Sequence, residues 1–439
     1  MQRRRSGLEM TPPLRHNQRY RLFWAGGALS SLGTSLTAFL LNLIAVVPLQ
    51  ASPIWIGLLN AAVWLPWLML GLPLDVAISR GNAPRTMAMG HLAAAFVLAT
   101  IPLAWALHQL HIAHLLVAAV TVAVTTVLFR AGYPRIMVEL VRRHDLATAN
   151  ADLTRAESTT QIIGPVLGGA TAAILAPAFV VLANICSHLG SAIALLRIPA
   201  LRSPPMTNTA YTDAMRHVRT GWRMTFRDPY LRFFSVQGAV SNAGLTGLQT
   251  LMVLVLIRDL GLGPAQAGLA VAVQAFGSLA GVVMAPRICR ARGDIGSIML
   301  LYPLVGTGGL LLPRWWPDDP HLPHLLAGTF LIGGGVVCSN MIRAGWRQSY
   351  VPAVLMARQI TATQTVNISL MSLAAVGTGW LAASAGSSTA LTTVGAVIAI
   401  SSFGALIGTP CRRRTLPSQP SAALLEAAQL PPPGWVDVR

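Results

Sequence analysis

The chain contains no lysine: all 32 of its basic residues are arginine. That absence excludes a Walker A lysine, and with it an ordinary P-loop ATPase in this chain. It also excludes lysine Schiff-base chemistry. Cysteine is scarce too. Cys186, Cys289, Cys338 and Cys411 are scattered without Cys-x-x-Cys spacing, so neither a zinc site nor a disulfide framework is indicated. Only 10% of the residues are charged, against about 25% in ordinary soluble proteins. No aspartate or glutamate falls in the middle of a long apolar run. No nucleophile–base pair or metal-ligand set stands out, so an enzyme is not expected, nor any cofactor or bound metal.

What is abundant is apolar sequence, 54% of 439 residues, gathered in long runs. The bilayer is the better solvent for most of the chain. A net charge of +18 could point to nucleic acid. However, the arginines sit between apolar runs rather than on one basic face, so nucleic acid is not an expected partner. Runs of about 20 residues, the length needed to cross the hydrocarbon, fall at 22–48, 53–75, 86–107, 112–138, 156–176 and 178–197. Six more fall at 231–256, 264–286, 296–313, 323–349, 362–385 and 388–409. The fold class expected is therefore an all-α integral membrane protein with twelve spans.

Arginine placement fixes an expected orientation. Arg80 and Arg85 follow the second run, Arg142 and Arg143 the fourth, Arg287, Arg290 and Arg292 the eighth, and Arg412 to Arg414 the last. The alternate loops hold chiefly Arg258 and Arg314. By the positive-inside bias both termini face the cytoplasm of a cell membrane, which an even number of spans satisfies. The basic N-terminus has no small-residue cleavage site before its long run and reads as an uncleaved first helix.

The resulting division is a cytoplasmic tail at 1–21, a six-helix half at 22–197, a linker at 198–230, a second half at 231–409 and a proline-rich tail at 410–439, expected to be disordered. In the linker, Met215, Val218, Trp222 and Phe226 keep helical spacing against Arg216, Arg219, Arg223 and Arg227. They describe an amphipathic helix lying on the cytoplasmic leaflet.

The halves echo one another. At an offset of 210, Tyr20, Phe23 and Ser31 meet Tyr230, Phe233 and Ser241, and Gly71 and Arg80 meet Gly281 and Arg290. At an offset of 213, Arg130-Ala131-Gly132-Tyr133 meets Arg343-Ala344-Gly345-Trp346, and Gly164 meets Gly377. Two six-span halves in parallel repeat place a substrate path at their interface.

Four motifs now carry a resemblance. They are Ser31-Leu32-Gly33, Gly71-Leu72-Pro73-Leu74-Asp75, Leu140-Val141 with Leu146-Ala147-Thr148-Ala149-Asn150, and Gly164-Pro165-Val166-Leu167-Gly168-Gly169. Over nearly its whole length the chain resembles the major facilitator superfamily, and within it the branch of macrolide and enterobactin exporters. The resemblance implies a secondary-active transporter, monomeric in the membrane, with a small-molecule substrate and protons as a candidate coupling ion.

The same resemblance assigns candidate residues. Gly164, Pro165, Gly168 and Gly169 match the core of the exporters' antiporter motif, although Ala151 and Thr160 stand where upstream glycines are expected. Read without the family, glycines four apart let helices approach closely, and the proline permits a bend. Asp75 sits where the family's gating motif places its aspartate, but Val76 replaces the following arginine and leaves Arg80 and Arg85 nearby. Arg130 and Arg343 lie inside apolar runs. They either mark a functional site, with Glu139, Asp152 and Glu157 as partners, or snorkel to the interface. Relatives place an acid after the first span's Leu-Gly, whereas this chain has Thr34. His91 and His188 either titrate during transport or hydrogen-bond as packing residues.

Asn42, Trp64, Gln161, Asn242, Gln249, Gln274, Asn340, Gln364 and Asn367 are candidates to line an apolar cavity for a mid-sized amphipathic solute, or else to join helices. The expected activity is export of an antibiotic, drug or secondary metabolite by alternating access. Import of a solute or siderophore and a non-transporting sensor or scaffold remain alternatives.

Overall fold

The computed structural model describes residues 17–80, 82–198, 210–313, 321–408, 415–422, 424 and 426. Among them every regular element is helical. The first half holds α1 (Gln18–Val46), α2 (Pro53–Ala62), α3 (Leu65–Arg80), α4 (Ala83–Ala106), α5 (Ile112–Leu140), α6 (Leu146–Ala172) and α7 (Pro177–Leu196). A connecting helix α8 (Ala210–Arg227) leads to α9 (Pro229–Leu254), α10 (Pro264–Leu310), α11 (His321–Tyr350), α12 (Ala353–Ala385) and α13 (Ser387–Ala405). Proline in the first turn of α2, α4, α7, α9 and α10 fits the place where its missing N–H costs nothing.

Ten stretches among the described residues are long and apolar enough to cross a membrane. One of them, α10, holds two spans that meet at Gly293, whose φ of 67° suits a residue without Cβ. The twelfth span is α6, whose 27 residues rise about 40 Å although its first turns are polar. Twelve crossings return the end of α13 to the side where α1 begins. That side is termed the terminal face, and the opposite one the far face.

Several sequence boundaries shift. The run at 53–75 is broken between α2 and α3, because Pro66 offers no N–H to the Ala62 carbonyl and the chain turns at Val63-Trp64. Helices α6 and α12 begin at Leu146 and Ala353, well before the apolar runs at 156 and 362. Polar residues in their first turns, such as Asn150, Asp152 and Arg155 in α6 and Arg358 and Gln359 in α12, hide these starts from a hydropathy reading.

Each half ties its first helix to the end of its fourth. Asn17 caps α1 by accepting from the Tyr20 N–H at 3.1 Å, and its Nδ2 donates to the Leu140 carbonyl at 2.6 Å. Asp228, fully buried, does the corresponding work in the second half. It accepts from the Tyr230 and Leu231 N–H groups at 3.0 and 2.8 Å and from the Tyr350 hydroxyl at 2.6 Å.

The Ser421 hydroxyl donates to the same carboxylate at 2.5 Å. Thus part of the segment at 410–439, expected to be disordered from its prolines, is docked. Trp346 Nε1 donates to the Pro417 carbonyl at 3.0 Å, and Leu424 is buried with Tyr230, Phe234 and Trp346. The rest of that tail, residues 1–16 of the N-terminal tail and residues 199–209 of the linker lie outside the described residues. Helix α8 packs Gly221 against the Arg358 carbonyl and buries Met224, while Trp222, Arg219, Arg223 and Arg227 are exposed.

Removing the Asp228 carboxylate deletes a helix cap and leaves two hydroxyls without their acceptor. Asp228→Ala is expected to cost about 2–4 kcal/mol, read as a lower thermal unfolding midpoint in detergent. Asp228→Asn should recover part of the loss, and an unchanged midpoint for Asp228→Ala contradicts this role.

Candidate functional site

The two halves meet most closely toward the far face, through glycines. On α6, Gly164 stands against Ser35 and Leu36 of α1, and Gly168 against Phe39. Gly169 turns the other way, toward α10: a methyl group added there would fall 3.0 Å from the Gly268 Cα and 3.2 Å from the Ala265 Cα. Gly268 in turn lies against the Pro165 carbonyl. The Gly-Pro-x-x-Gly-Gly sequence therefore packs on its own half with one face and on the other half with the next. Small residues permit this backbone approach in a bilayer, where apolar side chains gain little by leaving lipid.

A second junction relates α2 to α12 in the same way. A methyl at Gly57 would lie 2.7 Å from the Ala375 carbonyl, and one at Gly379 would lie 2.8 Å from the Gly57 Cα. Gly377, the sequence partner of Gly164, has open space around it. A hydrogen bond of 2.9 Å from Arg258 Nη2 to the Val46 carbonyl adds a third link, between the ends of α9 and α1.

On the terminal side of these junctions a cavity of about 570 Å³ lies between the halves. The break between α2 and α3 presents Trp64 and Trp67 to it, and α5 presents Arg130. From the second half come Asn242, Asn340, Gln364 and Asn367, together with Arg343 and Arg347. Asn340 donates to Asn242 and Asn242 to Asn367, each at 3.3 Å. Arg343 Nη2 donates to Asn340 Oδ1 at 2.5 Å, so the amides hold one another and the guanidinium in place. The Arg130 guanidinium lies 5.9 Å from the centre of the Trp67 ring, a cation–π contact.

The remaining amide candidates lie elsewhere. Asn42, Gln161, Gln249 and Gln274 line a second space of about 380 Å³ near the far face, between α1, α6, α9 and α10. Asn60 joins them there, donating to Asn42 Oδ1 at 2.8 Å. The sequence reading supposed one cavity; the structure divides these amides between two. Trp67, Asn60 and Arg347 were not singled out from sequence. Arg347 was within reach, since it follows Arg343 by one helical turn and shares its face.

The three carboxylate candidates fall at different places along α5 and α6. Asp152 pairs with Arg155 at 2.9 Å. Glu157 lines a neighbouring cavity with Arg130 but forms no ion pair with it. Glu139 lies near the end of α5. Asp75 and Arg80 fall in the last turns of α3, and their side chains lie outside the described residues.

His91 and His188, 97 positions apart, meet in the buried heart of the first half with Nδ1 atoms 2.8 Å apart. One ring donates and the other accepts, so both cannot be protonated at those atoms. Thr34 stays on α1, and its neighbour Gly33 rests against Asn184 and Ser187 of α7.

The overall arrangement is that of solved membrane transporters. A bacterial homologue of the iron transporter ferroportin, inward-facing, superposes with a TM-score of 0.68 at 14% identity, covering 94% of this chain and 98% of that one. The nucleoside transporter NupG gives a TM-score of 0.65 at 11% identity over 88% of this chain and 98% of that one. A D-xylose-proton symporter gives 0.66 at 13% identity over 90% and 99%. Such identities establish the fold and leave substrate and direction to each protein. No curated protein matches the sequence. Residues 23–375, however, match the sequence profile of the Major Facilitator Superfamily, and the chain belongs to that superfamily of membrane transporters.

Proposed function

We propose that the chain is a secondary-active exporter of small amphipathic organic compounds, working by alternating access in the cell membrane with both termini cytoplasmic. One observation carries this reading. Pro165 and Gly169, on the motif that resembles the exporters' antiporter sequence, form one of the contacts that join the halves toward the far face, while a large cavity lies on the terminal side. The arginine bias of the loops supports a cytoplasmic terminal face, so the cavity would take its solute from the cytoplasm. Rocking the halves about the fixed site, with the α6–α10 and α2–α12 junctions parting, would release it outside. The tryptophans and amides of the cavity suit burial of an apolar body steadied by a few hydrogen bonds.

The reading is tested by accumulation of labelled antibiotics and dyes in efflux-deficient cells expressing the chain, with and without a protonophore. Lower accumulation of at least one compound, abolished by the protonophore, is expected. Inward flux of the solute would instead make the protein an importer, and correct insertion without any flux would leave a non-transporting membrane protein.

The glycine junctions make a sharper prediction. Gly169→Leu and Gly379→Leu force at least a side chain into backbone contact. Each is expected to lower export tenfold or more, on the order of the 1–3 kcal/mol that overpacking costs, with unchanged membrane insertion. Gly377→Leu, at an open position, should keep export near the parent level. Equal loss at all three sites, or at none, contradicts the role given to the junctions.

A further inference from the structure

We propose that the central cavity selects organic anions. Arg130 of one half and Arg343 and Arg347 of the other would take a carboxylate, phosphate or sulfonate, and Trp64 and Trp67 its apolar body. The proposal rests on the transport reading above and names its substrate class.

Three guanidinium groups share one cavity of about 570 Å³, and no carboxylate is among its lining residues. Cations at membrane depth are costly unless paired, yet among the described residues none of these three forms an ion pair. Glu157 lines the adjoining cavity, which Arg130 also borders, but forms no ion pair with it. Arg130 is held over Trp67, and Arg343 is 7% exposed, fixed by Asn340 and laid against Gly238, where a methyl would come within 3.3 Å of Nη1.

Arg343 Nη1 and Arg347 Nε are buried without an acceptor among the described residues. Buried donors of this kind call for an acceptor, and a planar oxyanion matches the guanidinium fork. The Asn340–Asn242–Asn367 chain then serves to hold Arg343 in position rather than to neutralise it.

The placement has a mechanical consequence. Arg130 belongs to α5 of one half, and Arg343 and Arg347 to α11 of the other. One oxyanion between them attracts both halves on the side away from the glycine junctions. Bound anion therefore favours closing the terminal side and loosening the far side. A cation of the same shape meets three like charges and gains nothing from closure.

The test uses the purified full-length protein in lipid nanodiscs, with quenching of tryptophan fluorescence as the readout. The probes share one aromatic body and differ in charge: naphthoate, naphthyl phosphate, naphthamide and naphthylmethylammonium. The anions are expected to bind at least about tenfold tighter than the amide, from one or two charge-assisted hydrogen bonds, and the ammonium weakest. Arg130→Gln and Arg343→Gln should each remove about tenfold from naphthoate binding and leave naphthamide unchanged, which also shows that the variants are folded. A difference between naphthoate and naphthyl phosphate identifies the oxyanion preferred.

Equal binding of all charge forms, or an anion preference that survives both substitutions, overturns the proposal. Should the glutamine variants not fold, Arg343→Lys decides. It keeps the charge but not the fork, so a several-fold loss for naphthoate alone is expected, and equal loss for naphthamide overturns the assignment. Binding to the isolated protein is read separately from flux. Anion binding without export sinks the transport reading alone, whereas export of neutral and cationic compounds with no anion preference sinks this one.

Discussion

Close backbone contact between the two halves at the far face is the constraint on which the rest depends. Lipid offers no hydrophobic reward for pressing one apolar helix on another, so the halves hold together through close packing. Glycines supply it at two places, Gly169 with Gly268 and Gly57 with Gly379. Because both junctions lie toward one face, the interface above them stays open as a cavity. Access from a single side thus follows from where two pairs of small residues were placed.

The cavity inherits its chemistry from the same geometry. Pro66 ends α2 early, and the turn that results brings Trp64 and Trp67 to the interface. The repeat then places Arg130 and Arg343 on corresponding helices, so both face the seam between the halves. A chain of amides orders the second of these arginines, and an indole ring orders the first. Charge at this depth is therefore organised, with each guanidinium presented to the space that both halves share.

Much of this was legible in the sequence, for reasons that can be stated. Apolar runs of spanning length and arginine-bearing loops gave the helices and their number, since a bilayer forces both signals. The echo of Arg130-Ala131-Gly132-Tyr133 in Arg343-Ala344-Gly345-Trp346 pointed to two residues that do line one cavity. Hidden features are those that depend on distance through space. Asn42 and Gln161 could not be separated from Asn242 and Asn367 by composition, yet they line different cavities. His91 and His188 carry no mark of their contact across 97 positions. The Gly57–Gly379 junction lacks a four-residue glycine spacing, and the docked segment at Pro417 and Ser421 looked disordered because proline content hides a buried anchor such as Asp228.

The central claim is one-sided access to the cavity, and accessibility to a membrane-impermeant thiol reagent measures it most directly. A single cysteine at Asn367, in a chain whose four native cysteines are replaced by serine, reports on the central cavity. Labelling in inside-out vesicles, with protection in right-side-out vesicles, is the result the account predicts for the resting protein. Preferential labelling from the outside, or equal labelling from both sides, would contradict it.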